Sequence, residues 1–417
     1  MSNPEYSKSN ERLPTRLPRW RKTVDFEMLL VVFAMILSCL HGTTLSETYS
    51  NQEAELSAPL QFLRTHSLDI IELILILLCI RKFYSLINTR THLSWAVLLY
   101  VLYNLVNCAV AGYYGVVPSD KCFYSATAFC AWGFYFGFAA VKPISVVEDH
   151  FAALLTLNFL LFAFGSMLES VLSLDSVMWL GRFSGISVHP NFCGIISTLS
   201  ALAATHILLR PGAPKFWKAS AIFAIISGIG FIIASGSRMA VMVFAVGFYL
   251  SVWKLLRRQK LFVRSLPIII LVVFGMFLAK YMLDDNESPQ DLRILSLENT
   301  RADPWLRMWS NFVKHPLFGD MRGGVEALGE NSFLQAASTT GIVGLIPLLG
   351  SVAFLICDAL RCLREGGKNF NGLNIAGIAI ALVVCATLEG YMNSLVTFHT
   401  MAYLIVASSM AGINWRK

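Results

Sequence analysis

The sequence predicts an all-α membrane protein, a polytopic transmembrane helix bundle of about twelve helices with a large helical loop between helices nine and ten. Three observations lead there. Of 417 residues, 56% are hydrophobic and only 14% charged, with a mean hydropathy of +0.61, so the chain cannot cover a soluble globule with polar surface. Apolar runs of the roughly 17 to 25 residues that a bilayer crossing takes recur along the whole length. Between them, the basic residues concentrate in alternate connecting segments, as the positive-inside rule describes.

The elements follow in order. Residues 1–25 form a polar tail with Lys8, Arg12, Arg16, Arg19, Arg21 and Lys22. No small-residue cleavage site follows the first apolar run, so that run reads as a retained helix and not a removed signal peptide. Nine runs fill residues 26–283, near 26–43, 66–80, 94–113, 125–141, 151–170, 192–209, 219–235, 239–256 and 265–283. A loop of mixed polarity occupies 284–335, and three more runs, 336–357, 373–391 and 396–413, complete the segment 336–417. The third, fourth and twelfth runs carry several polar groups, so a count of eleven or thirteen also fits. With the N-terminus inside, most of the 33 lysines and arginines fall on the cytoplasmic side, which places both termini there. The net charge of +7 is then a matter of topology and calls for no nucleic-acid partner.

Cysteine usage adds little. Cys39, Cys79, Cys108, Cys130, Cys193, Cys357 and Cys385 fall in expected helices, Cys362 on the cytoplasmic side and Cys122 in an outer loop. Neither a disulfide framework nor metal-ligand spacing emerges. The chain has no P-loop, dinucleotide fingerprint or HExxH, which argues against nucleotide-driven chemistry.

Three outer segments concentrate polar groups. The first, about 171–191, carries Arg182 and then His189-Pro190-Asn191 before the sixth helix. Pro190 biases His189 away from helical angles, and Asn191 is placed to cap. The second, Ser235-Gly236-Ser237-Arg238, is a tight turn between helices seven and eight, with Gly236 permitting it. The third is the long loop. Its Arg301 precedes Asp303-Pro304, an N-cap acceptor with proline at the first helical position. Trp305, Trp309 and Phe312 then share one face of an amphipathic helix flanked by Arg307 and Lys314, suited to lie in the interface. Pro316 ends that helix, and Gly319, Gly323, Gly324 and Gly329 punctuate a flexible stretch up to Glu330-Asn331. Arginines beside lipid are costly unless they face a cavity or an anion, so the clustering of Arg182, Arg238 and Arg301 on one side points to a phosphorylated, membrane-borne substrate.

These residues resemble the O-antigen ligase and O-antigen polymerase superfamily of bacterial integral membrane glycosyltransferases. The resemblance rests on Gly185-x4-Pro190-Asn191, Ser237-Arg238, Arg301-x3-Trp305 with His315-Pro316-Leu317-Phe318-Gly319, Asn331-Ser332-Phe333-Leu334 and Gly341-Ile342-Val343-Gly344. Together these cover roughly residues 180–350, and the first five helices match only in hydrophobicity. Two departures stand out. Glu330 occupies the place where members commonly carry a histidine held to be catalytic in the ligases, and Met321 replaces the second glycine of a Pro-Leu-x-Gly-x-Gly pattern. The first tilts the reading toward a repeat-unit polymerase.

The resemblance implies a metal-independent transfer with no cofactor, at the periplasmic face of the bacterial inner membrane. An acceptor sugar hydroxyl attacks the anomeric carbon of an undecaprenyl-diphosphate-linked oligosaccharide, and undecaprenyl diphosphate leaves. Arg182, Arg238 and Arg301 would clamp the diphosphate, since guanidinium groups match phosphate oxygens and keep their proton. Glu330 would be the general base. Arg307, His189, Asn191, Asn331 and Trp305 would surround the diphosphate and sugar. Besides membrane lipid, a chain-length regulator protein is the partner the resemblance suggests.

Plainer readings stand beside each role. Arg182 and Arg238 also fit cations snorkelling from helix ends, and Arg301 an ion pair with Glu298 or Asp303. Glu330 also fits a charge complementing a helix dipole. His189 and His315 fit structural roles, and Glu389 and His399 flank the outer end of the last two helices, where an interhelical hydrogen bond explains the carboxylate. Two other functions remain open: a ligase moving finished glycan onto lipid A-core or protein, and a transporter of lipid-linked sugars. No internal repeat supports the transporter.

Overall fold

Helices carry most of the described chain in the computed structural model, which describes residues 25–40, 56–179, 181–187, 189–257, 302–324, 331–365, 373–390, 392 and 397–414. In order they are α1 (Phe26–Leu40), α2 (Ala58–Thr65), α3 (Ser67–Asn88), α4 (Trp95–Tyr113), α5 (Ser119–Gly137), α6 (Ile144–Leu172), α7 (Pro190–Leu209), α8 (Lys215–Ala234), α9 (Arg238–Arg257), α10 (Ala302–Lys314), α11 (Met321–Gly324), α12 (Ser332–Glu365), α13 (Leu373–Leu388) and α14 (Phe398–Ala411). Two antiparallel strand pairs sit at helix ends, β1 (Thr91–Leu93) with β2 (Phe138–Ala140) and β3 (Met178–Trp179) with β4 (Arg182–Phe183).

This is a helical membrane protein. Among the described residues, five helices, α4, α6, α7, α8 and α12, are long and apolar enough to cross a bilayer, and α1, α9, α13 and α14 include shorter apolar stretches. Eleven of the twelve apolar runs expected from the sequence lie on helices; the ninth, 265–283, falls outside the described residues. The ends differ where hydropathy and helix part company. Helix α3 continues past residue 80 through Arg81 and Lys82 to Asn88, because charged residues at a span's end leave the backbone ladder intact. Helix α5 starts at Ser119 behind Pro118, so Cys122 lies on a helix and not in a loop.

The termini of the helices gather into two ends. At one, β1 pairs with β2, Lys142 bridges Ile413, Asp149 pairs with Arg210, and Glu148 accepts from the Ile375 amide at the start of α13. Arg81, Lys82, Arg90, Lys142, Arg210, Lys215 and Lys218 all belong to this basic end. Its tightest lock joins the buried carboxylates of Glu148 and Asp149 to two partly buried partners: His206 Nε2 lies 2.9 Å from Asp149 Oδ1, Arg210 Nη2 lies 3.0 Å from Asp149 Oδ2, and His206 Nδ1 lies 3.7 Å from Glu148. At the opposite end, Ser57 donates to the buried carboxylate of Glu169 near the end of α6. Between the ends, α7 is the most deeply buried of the five long helices and α8 the least. Small residues permit the close contact: a Cβ on Gly194 of α7 would stand 2.7 Å from that of Ala240 on α9.

Helix α12 is two helices joined at a kink. Gly341 has φ +62° and ψ −158°, a region open to glycine and strained for other residues. The break takes the amides of Ile342 and Val343 out of the helix ladder, and they donate instead to Pro316 and Leu317 carbonyls at 2.8 and 3.3 Å. In return the Asp320 amide donates to Ser338 at 2.9 Å. Gly319, at φ +66°, sits against this joint so closely that a Cβ would lie 2.4 Å from the Thr339 carbonyl carbon. The segments 315–319 and 341–344 are therefore halves of one main-chain clasp. Asn311 adds its side-chain amide to Ser338 Oγ at 2.8 Å, Tyr114 donates to the Gly319 carbonyl, and Arg322 donates back to that of Tyr114.

For Gly319, Gly323 and Gly324 this corrects the expectation of a flexible stretch; Gly329 lies outside the described residues. Gly319 is buried in the clasp, and residues 321–324 form the short α11, with Met321 packed among Val110 and Ala111. Helix α10 begins at Ala302, so Asp303 and Pro304 lie in its first turn instead of starting it. Proline is tolerated there because first-turn amides lack helical partners. Its buried contact is Met308, with Trp305 and Phe312 half-buried and Trp309 exposed.

Candidate functional site

The end of the bundle opposite the basic one brings together segments that lie far apart in sequence. Arg182 extends from β4 into the space between the heads of α7 and α9. It is 9% exposed, and its Nε donates to the Ser235 carbonyl at 2.8 Å while Nη2 donates to Asn191 Oδ1 at 3.0 Å. Asn191, in the first turn of α7, passes the contact on, its Nδ2 donating to Glu389 Oε1 at 3.1 Å. Only this orientation of the amide is consistent, since flipping it would set donor against donor and acceptor against acceptor. A guanidinium and a carboxylate are thus joined through one amide, which compensates both charges where neither is well hydrated.

Glu389, 7% exposed just past the end of α13, is positioned from the start of α12. Asn331 Oδ1 accepts the Phe333 and Leu334 amides, each at 2.9 Å, and so caps that helix. Its Nδ2 donates to the Thr387 carbonyl at 2.7 Å, and Ser332 Oγ donates to the Glu389 carbonyl at 2.7 Å. Asn331, expected around the sugar or diphosphate, is in this structure a cap and a tether. The Ser332 hydroxyl also accepts the Met392 amide at 3.2 Å.

His189 caps α7. Its Nδ1 accepts the Asn191 amide at 3.1 Å and its ring leans on Trp179 at 4.5 Å. The capping expected of Asn191 belongs to His189, because the extended backbone before Pro190 turns the imidazole toward the helix head. Burial, with Arg182 adding to it, lowers this imidazole to about 3. It is neutral at physiological pH, and its Nδ1 is engaged.

The turn 235–238 meets its expectation, with Gly236 at φ +61°. Arg238 stands exposed at the first position of α9, three residues from the carbonyl that receives Arg182. His399 on α14 reaches the same end of α7, its ring 5.4 Å from that of Phe192. Trp305 and Arg307 ride on α10, whose anchor at Ser338 lies two turns along α12 from Asn331. Arg301 and Glu330 lie outside the described residues.

Arg182, His189, Asn191, Asn331 and the 235–238 turn, all singled out in the sequence, therefore meet at one end. Glu389, read in the sequence as a carboxylate explained by an interhelical hydrogen bond, joins them through such a bond to Asn191 on α7. Its signal was a carboxylate in an otherwise apolar run; the sequence does not disclose that Asn191 links it to Arg182. Among the described residues, no three histidine, cysteine or carboxylate side chains converge as a metal site requires. Neither a scan against protein-family models nor a search of curated proteins finds a match for this chain.

Proposed function

We propose that this protein is a membrane glycosyltransferase that polymerises undecaprenyl-diphosphate-linked oligosaccharide repeats, with its site at the periplasmic face of a bacterial inner membrane. The observation that carries the reading is the link from Arg182 through Asn191 to Glu389, beside the exposed Arg238. It supplies fixed positive charge and a carboxylate at one end of an apolar bundle, the two groups that transfer from a lipid diphosphate asks for. The basic opposite end supports a periplasmic position for this one. The resemblance of segments 185–191, 237–238 and 331–334 to the O-antigen polymerase and ligase superfamily supports the substrate class.

In this reading Arg238 meets the diphosphate at the rim, joined by Arg301, while Arg182 orients Asn191 and Glu389. The acceptor hydroxyl gives its proton to a carboxylate as its oxygen bonds to the anomeric carbon. The bond from that carbon to the diphosphate oxygen breaks, and undecaprenyl diphosphate leaves with the electron pair. Glu389 is the carboxylate for this role among the described residues, with Glu330 the sequence-based choice. His189 serves as the cap that holds Asn191.

Deleting the gene in its host and separating the glycolipid and undecaprenyl-linked pools by size tests the reading. Single repeats on acceptor or carrier are the expected result. Full-length polymer accumulating on the carrier with bare acceptor would move the assignment to a ligase, and unchanged pools would overturn both.

A further inference from the structure

A second polar recess lies at the basic end, away from the site above. It is a cavity of about 150 Å³, open on one side, between the start of α1, the later turns of α3, the ends of α5 and β2, the start of α6 and the last turns of α14. Its floor is apolar, with Val31, Phe136, Leu154 and Ile405. Its polar lining combines both signs of charge: Asp25 and Glu27 from α1 and its cap, Lys82 from α3, Lys142 before α6, and His150 and Ser409.

The charges are arranged in space as well as in number. Tyr135 donates to Glu27 Oε1 at 2.6 Å and Arg81 Nε donates to Oε2 at 3.1 Å, so Glu27 already has a cationic partner and a fixed position. Lys82 is held 5.5 Å above the Tyr135 ring, within electrostatic reach of Glu27, which attracts it, and of Lys142, which repels it. Arg81, Lys82 and Lys142 stand against two carboxylates, Asp25 and Glu27, an excess of one positive charge at this recess that an anion would balance. Asp25 caps α1 through the Met28 amide at 2.8 Å and lines the same recess. With Glu27 shared between Arg81 and Lys82, the recess offers that excess charge, carried by Lys82 and Lys142, to a phosphate and one carboxylate, Asp25, to a cation beside it.

We propose that this recess binds a phosphoethanolamine group, with the phosphate between Lys82 and Lys142 and the primary amine at Asp25, as the headgroup of a membrane lipid. Two observations favour a lipid over a soluble source. The floor is apolar, and the helix that lines the recess with Met28 and Val31 turns Phe26, Leu29 and Phe33 outward as an exposed apolar stripe for the acyl chains. A primary amine donates hydrogen bonds to a carboxylate that a quaternary ammonium cannot.

The test is binding of short-chain phosphatidylethanolamine, phosphatidylglycerol and phosphatidylcholine to the detergent-purified full chain, with glycerophosphoethanolamine as the soluble arm. Phosphatidylethanolamine should bind about tenfold tighter than either other lipid, a difference that intact-protein mass spectrometry resolves. Asp25→Asn keeps the helix cap and should bring the ethanolamine-to-glycerol ratio close to one while phosphatidylglycerol binding holds. Lys142→Gln should weaken both. The ratio change reports on the site in a way that misfolding cannot imitate. Equal binding of the lipids to the unaltered protein, or an unchanged ratio in Asp25→Asn, overturns the proposal. Glycerophosphoethanolamine binding as tightly as the lipid would overturn the lipid source while leaving the headgroup chemistry in place.

Discussion

Asn191 does more at this site than its size suggests, since one amide accepts from Arg182 and donates to Glu389. Asn191→Leu removes both contacts without changing volume greatly. Leaving partners of charged groups unmatched costs about 2 to 3 kcal/mol, so thermal unfolding in detergent should show a clear drop, and transfer activity should fall with it. Glu389→Gln keeps the shape and the contact to Asn191 through its carbonyl oxygen; if Glu389 takes the acceptor's proton, the rate falls by about 100-fold or more with the fold intact. Wild-type rates in that variant would remove Glu389 from the chemistry. His189 gives a prediction of opposite character. Its imidazole is held near 3 in the folded chain against about 6.5 when unfolded, so between those values the unfolded state binds more protons. The stability this neutral cap contributes is full above about pH 6.5 and is lost as pH falls toward 3. His189→Asn retains a capping side chain, and its unfolding should depend less steeply on pH across that window. The sequence made Arg182, His189 and Asn191 legible because proline and capping chemistry act locally. What it could not give was the partner, since Glu389 lies 198 positions from Asn191 along the chain.

At the scale of elements, hydropathy located the helices well and their ends less well. The end of α3 and the start of α5 are set by backbone hydrogen bonding and by Pro118, neither of which a run of apolar residues records. The motif 315–319 and the motif 341–344 looked separate in sequence, and each drew a functional reading by resemblance. Their meaning is joint, because a kink in α12 leaves amides that only the other segment's carbonyls satisfy. Gly341→Ala should be severe: it combines a positive-φ, extended-ψ backbone that only glycine adopts readily, worth about 1 to 3 kcal/mol, with a Cβ 2.3 Å from the Leu317 oxygen. A large loss of thermal stability is expected, whereas Gly230→Ala, which meets nothing within 4 Å, should be tolerated. At the basic end, Asp149→Ala strips Arg210 and His206 of a shared carboxylate. Breaking a buried pair costs about 3 to 5 kcal/mol, and unfolding should shift accordingly.

For the molecule as a whole, composition and the distribution of basic residues were enough to read a helical membrane protein with an excess of basic residues at one end. The two polar centres occupy opposite ends, so their predicted effects separate. Arg238→Lys at the rim should cripple transfer through loss of bidentate phosphate contact, as should Arg301→Lys, while neither alters lipid retention at the basic end. Full activity in both variants would end the arginine-clamp hypothesis. The clasp between α10 and α12 carries a consequence of its own for motion. The second half of α12 begins with amide protons guarded by a segment that precedes it in the chain, so it cannot fray from that end until α10 has lifted away. Deuterium uptake at Ile342, Val343 and Asp320 should therefore follow one shared opening, slow and cooperative, and not the graded exchange of a helix terminus exposed by itself.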